Sequence, residues 1–152
     1  MSMLLPLPFV PQLRDGYCLS ACVTMVLTYW GVQINQPRVA QLLGTTDVGT
    51  PISRVQRLSN HGLEVKFNPY GEWVDIGAEI NAKQPVIVAV HAGWLPYAKI
   101  QSSHAIVVVG YADHDLTILD PTTNGEPIEL SQDAFMIAWI EMDCSYAVIK
   151  PH

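Results

Sequence analysis

Basic side chains are scarce in this sequence: 8 Lys and Arg stand against 14 Asp and Glu, and nowhere do the basic residues gather. Binding to a phosphate backbone needs a basic patch or stripe, so nucleic acid is not an expected partner. Long apolar runs are missing as well. The longest, such as Val86 to Val90 and Ala105 to Val109, are strand-sized and far short of the ~20 residues that span a bilayer, so no membrane insertion is expected. The apolar start MSMLLPLPFVPQ carries no basic residue and is broken by prolines, unlike a secretory signal. Only 3 cysteines are present, an odd number that fits a reducing, cytoplasmic location better than a disulfide scaffold. With no repeat, low-complexity tract or linker, residues 1–152 read as one domain. A chain of that length buries roughly 68–70% of its unfolded surface without cross-links.

What is present begins with DGYCLSACVTMVLTYWG, residues 15 to 31. From Cys18 to Trp30 apolar residues occupy almost every face, which predicts a buried helix starting near Cys18 and stopped by Gly31. Asp15, in the preceding turn, is a candidate partner for its first free N–H groups. A second helix is expected after Asn35, with Pro37 in its first turn and Gly44 at its end. A third is expected with Thr50 as N-cap, Pro51 at the first helical position and Gly62 as the stop. Beyond Gly62 the pattern changes. LEVKF alternates like a half-exposed strand, WVDIGAEINAK predicts a short helix, and PVIVAV predicts a buried strand. HAIVVVGY and LTILD flank the turn-like ADHD and read as a β-hairpin. PIEL adds a strand, Ser131 caps a helix over QDAFMIAW, and YAVIK closes the sheet. Helices first and antiparallel strands second define an α+β fold.

Cys18 and Cys22 admit three readings: core residues, a metal or disulfide pair, or a nucleophile with a core neighbour. The head of a helix favours an anion, so a thiolate is stabilised at Cys18 and not one turn further on at Cys22. The predicted hairpin supplies the rest. His104 opens one strand and Asp120 ends the next, just before Pro121, so antiparallel pairing brings the carboxylate within a few positions of the imidazole. Taken singly, His104 is a polar strand end and Asp120 a turn former. Together with Cys18 they make an activatable thiol, a base and a group that orients the base. Metal is not expected, because Cys-x3-Cys lacks a second ligand pair and the 5 histidines are dispersed. His61 reads as a helix-end residue and His114 as a turn residue. The loop from His91 to His104 makes Trp94 and Tyr97 candidates for substrate contact, with packing on the core as the alternative.

The stretches VPQLRDGYCLSACVTMVLTYWGV, LLGTTDVGTPISRVQRLSNHGLEV, PVIVAV, SHAIVVVGY and LTILDP resemble the C39-like cysteine peptidases, a bacterial branch of the papain-like fold. The resemblance covers nearly the whole chain. It implies a central buried helix in an N-terminal helical half, an antiparallel sheet in the C-terminal half, and catalysis without a cofactor. It further implies Cys18 as nucleophile, His104 as base, Asp120 as the orienting carboxylate and Gln12 as a donor to the oxyanion. The family has glycine directly after the nucleophile, where this chain has Leu19, which either narrows the substrate cleft or points inward along the helix. Bacteriocin-processing members are fused to membrane transporters and remove leader peptides after a Gly-Gly pair. This chain resembles the stand-alone subgroup, for which a cleft accepting small residues is implied. The implied partner is a peptide or protein substrate. Two alternatives stay open at this point: acyl or isopeptide transfer through the same cysteine, and a peptide-binding module without turnover, for which Leu19 is the motivating feature.

Overall fold

The computed structural model describes residues 3–152. Two helices come first after a short N-terminal strand in chain order. Helix α1 spans Cys18–Tyr29, and its residues Leu19 through Leu27 are all buried, as an all-round apolar helix requires. It packs against α2, β4 and β7, elements described below. The Trp30 indole N–H then ties its end to the sheet by donating to the Ile149 carbonyl at 2.9 Å. Helix α2, Gln36–Leu43, has the expected punctuation. The Asn35 side chain accepts from the Arg38 amide, Pro37 lies in the first turn, and Gly44 takes a left-handed conformation.

The third expected helix is a 3-10 helix, Ile52–His61. The reason is legible in its side chains. Ile52, Val55 and Leu58 recur every three residues, the period of a 3-10 helix, and Val55 and Leu58 are buried. The Arg54 and Arg57 guanidinium groups, also three apart, both donate to the Leu43 carbonyl. Thr50 does not cap this helix; Pro51 stands at its N-cap and no side chain bonds there. The Thr50 hydroxyl instead donates to Thr45 at 2.7 Å, and Thr45 is 2.8 Å from the Ser20 hydroxyl, joining this segment to α1.

The strands are β1 (Met3–Leu4), β2 (Leu63–Asn68), β3 (Val86–His91), β4 (Ser103–Tyr111), β5 (Asp115–Leu119), β6 (Ile128–Ser131) and β7 (Tyr146–Pro151). They form one antiparallel sheet in the order β2-β7-β3-β4-β5-β6, with β1 paired to β4. Helix α3 (Trp73–Asn81) begins with a capping box between Glu72 and Asp75, and α4 (Gln132–Ile140) is capped by Ser131. The expected mixture of a helical half around a central helix and an antiparallel sheet half is what the structure has. Trp73, Phe135, Trp139 and Tyr146 stack in a continuous aromatic row that joins α3 and α4 to β7. β7 is inserted between β2, at the sheet edge, and β3, so the order β2-β7-β3 rests on long-range pairing.

Candidate active site

Three elements converge at one end of α1. Its N-cap is Tyr17, no side chain caps it, and its first turn holds no acidic residue. Asp15 therefore makes no cap: the N-cap position falls to Tyr17, two residues further on. Gly16 has φ +82°, and a Cβ there would lie 2.5 Å from the Thr46 carbonyl oxygen. Only glycine allows the loop before Cys18 to press so closely on the Thr46–Asp47 turn. The first amides of α1 have no intrahelical acceptor, and Cys18, half-buried, is the first residue of the helix.

β4 lies between β3 and β5, which buries nearly its whole length. Its second residue, His104, is 6% exposed and pairs with Val90 on β3. Asp120 follows β5 directly and is 1% exposed. His104 Nε2 and Asp120 Oδ1 are 2.8 Å apart, which leaves Nδ1 as the ring nitrogen that meets the Cys18 thiol. The same carboxylate accepts from the Thr122 amide at 2.9 Å, the Thr122 hydroxyl at 2.7 Å and the Tyr97 hydroxyl at 2.6 Å.

Burial alone would push the Cys18 thiol up. Its hydrogen bond with His104, the charge of the imidazolium and the amides of Ala105 and Leu19 outweigh burial and hold it below the usual thiol value. Burial likewise disfavours charge on His104, yet hydrogen bonds and attraction from Asp120 and Cys18 raise it to about 9. For Asp120, burial is overcome by the His104 hydrogen bond and charge and by the Tyr97 and Thr122 hydroxyls, which hold it at about 2. These directions agree with one another: a lowered thiol and a raised imidazole both favour the proton on the ring. Cys22 is the counter-example on the same helix. It is fully buried, and burial, reinforced by the charges of Cys18 and Asp120, pushes its thiol well above the usual value.

Gln12 lines the same cleft as Cys18. Its amide nitrogen donates to the Pro121 carbonyl at 3.0 Å, which fastens this loop to the chain beyond Asp120. Its side-chain Nε2 makes one long bond, 3.3 Å, to the Arg14 carbonyl, while Oε1 is buried without a partner. A carboxamide NH2 has two hydrogens, so one donor remains uncommitted.

Cys18, His104 and Gln12 open onto a cleft of ≈ 1180 Å³. Gly16, Pro51, Phe67, Ala105 and Met142 are among the residues that line it. Of the residues expected to meet substrate, none of Leu19, Trp94 and Tyr97 lines it. Leu19 is 1% exposed and packs in the core, so the inward orientation holds and the cleft is not narrowed by it. Trp94 projects from the short 3-10 turn Ala92–Trp94 and is 56% exposed. Tyr97 is turned inward onto Asp120. Thr122 escaped sequence reasoning, although Asp-Pro-Thr carries a usable signal: an Asp side chain commonly accepts from the amide two residues on. Among the described residues, no group of three or more His, Cys, Asp or Glu is placed to hold a metal. Nor, among them, is any helix long and apolar enough to cross a membrane.

This constellation on an α+β frame defines a class, the cysteine-type peptidases. Residues 4–147 match the Peptidase_C39 like family, and the chain belongs to it. It is 25% identical over 134 residues to the pediocin PA-1 transport/processing ATP-binding protein PedD of Pediococcus acidilactici, an alignment covering 88% of this chain and 18% of that protein. The chain thus spans under a fifth of that relative's length. Two solved structures share the fold. A C39-like peptidase from Bacillus anthracis superposes with a TM-score of 0.83 at 15% identity, over 100% of this chain and 98% of the other. A double glycine motif protease from an AMS/PCAT transporter, in complex with its leader peptide, gives 0.71 at 20% identity, over 99% of this chain and 95% of the other.

Proposed function

We propose that residues 1–152 act as one peptidase domain that cleaves peptides by nucleophilic catalysis at Cys18. The thiolate attacks the scissile carbonyl carbon, and the oxygen that becomes negative is met by the Cys18 amide and the free Nε2 hydrogen of Gln12. His104 gives its proton to the leaving amine as the C–N bond breaks and an acyl-thioester remains. His104 then takes a proton from water, whose oxygen attacks the thioester. The C–S bond breaks, the acid product leaves, and the thiol is restored. Asp120 holds the ring in the orientation that lets Nδ1 do this work.

The observation that carries this reading is the continuous path from the Cys18 thiol through His104, both lining the cleft, to the buried Asp120. For the substrate we favour peptides with small residues before the scissile bond. The names of the relatives support this, one being a processing protein and another a double glycine motif protease bound to a leader peptide. A reducing, cytoplasmic setting fits three cysteines that are all free.

The test is incubation with a peptide panel containing Gly-Gly and non-Gly-Gly sites, read by mass spectrometry. We expect cleavage and a transient mass adduct on Cys18, both lost in Cys18→Ala. Binding without cleavage or adduct would establish a recognition module instead. Products joined to an added amine in preference to water would establish acyl transfer.

A further inference from the structure

The Asp120 carboxylate is held unevenly. Oδ1 receives His104 Nε2 and both the amide and hydroxyl of Thr122, whereas Oδ2 receives the Tyr97 hydroxyl, at 2.6 Å. The last torsion of an aspartate is broad and two-fold, so its carboxylate turns easily unless donors hold both oxygens. With Asp120 1% exposed, the donor on Oδ2 decides which way the plane faces.

Tyr97 is well suited to that task. It sits in the connection between β3 and β4, and residues further along, Ile100 and Ser102, line the cleft. The ring packs against the core. Its ionisation is pushed far up, first by burial and then by the charge of Asp120, so it stays a donor. We propose that Tyr97 is a positioning residue of the peptidase reaction, fixing the Asp120 carboxylate so that Oδ1 faces His104. This rests on the peptidase reading above. The titratable groups that interact with Asp120 are His104 on β4, Cys22 on α1 and Tyr97 itself, with Cys18 on α1 reached through His104. Once the carboxylate turns, His104 loses its principal support and its imidazolium deprotonates at lower pH.

The test is the pH profile of Cys18 alkylation by iodoacetate, an anionic reagent whose rate falls when the neighbouring imidazolium loses its proton. In Tyr97→Phe the falling limb is expected to move down by roughly one pH unit, because a turned carboxylate no longer hydrogen-bonds the imidazolium. A superimposable profile would overturn the proposal. In an Asp120→Asn background, Tyr97→Phe is expected to add nothing, since coupled residues are not additive; an equal shift in both backgrounds would mark a merely structural role and overturn it. Independently of any variant, the Tyr97 hydroxyl proton of the unmodified protein is expected as a slowly exchanging low-field resonance, and rapid exchange at every pH would contradict it. An unmodified protein with no falling limb at all would overturn the thiolate–imidazolium reading itself, and this proposal with it.

Discussion

His104 Nε2 and Asp120 Oδ1 meet at 2.8 Å although 16 residues separate them in the chain. The hairpin makes this contact. Val107 faces Leu119 across β4 and β5, so the first residue beyond β5 falls beside the start of β4. Both groups are buried, and a buried charge left without its partner is costly, so removing either member of the pair is expected to destabilise the fold.

Its contribution depends on pH in both directions. The Asp120 carboxyl is depressed to about 2, so its share is fully present above its unfolded value, about 4, and is lost as pH falls toward about 2. His104 is raised to about 9, so its share is fully present below its unfolded value of 6.5 and is lost as pH rises through about 9. The melting temperature of Asp120→Asn, measured beside the unmodified protein, should therefore fall furthest below it between about pH 4 and 6.5. The gap should close on either side. A gap constant from pH 3 to 10 would contradict the pairing.

The two cysteines of α1 should separate cleanly. Cys18→Ala is expected to remove all turnover while leaving the melting temperature within a few degrees. Cys22→Ala should keep activity and lose about 1 kcal/mol of stability from the trimmed core. Equal losses of activity, measured on a cleaved peptide, would count against Cys18 as the nucleophile.

Gln12 should matter only when an oxyanion forms. Loss of one such donor costs about 2.7–4 kcal/mol, so Gln12→Ala is expected to lower kcat by ~10²–10³ with little change in KM. Alkylation of Cys18 creates no oxyanion and should proceed at the unmodified rate. A parallel fall in both would assign Gln12 to thiol activation.

Leu19 distinguishes core from cleft. Because it is 1% exposed, Leu19→Ala should cost about 2–5 kcal/mol of stability, read by chemical denaturation, and leave peptide preference unchanged. A relaxed preference for larger residues before the scissile bond would restore Leu19 to the substrate path.

Much of this arrangement could be read from the chain. The all-round apolar α1, the caps at Asn35 and Ser131, and the hairpin that joins His104 to Asp120 are local patterns, fixed by side chains within a few positions of one another. Pro51 and Gly62 mark the ends of a 3-10 helix as readily as those of an α-helix. Only the three-residue spacing of Ile52, Val55 and Leu58 tells them apart. Leu19 had two open orientations, since a helix apolar on every face does not reveal which side meets the cleft. Tyr97 was visible as a loop aromatic near the base, but its hydroxyl reaches Asp120 across 23 residues of chain, a distance no local pattern encodes. The insertion of β7 between β2 and β3 is hidden for the same reason.

The central claim is a thiolate–imidazolium pair at Cys18 and His104, and site-resolved iodoacetate alkylation across pH tests it most directly. Cys18 should react at about pH 6 far faster than Cys22 or Cys144, reach a plateau, and slow as pH rises through about 9, where His104 loses its proton. A Cys18 that stays unreactive until about pH 8.5, the range of an ordinary free thiol, would show that no such pair exists in the resting protein.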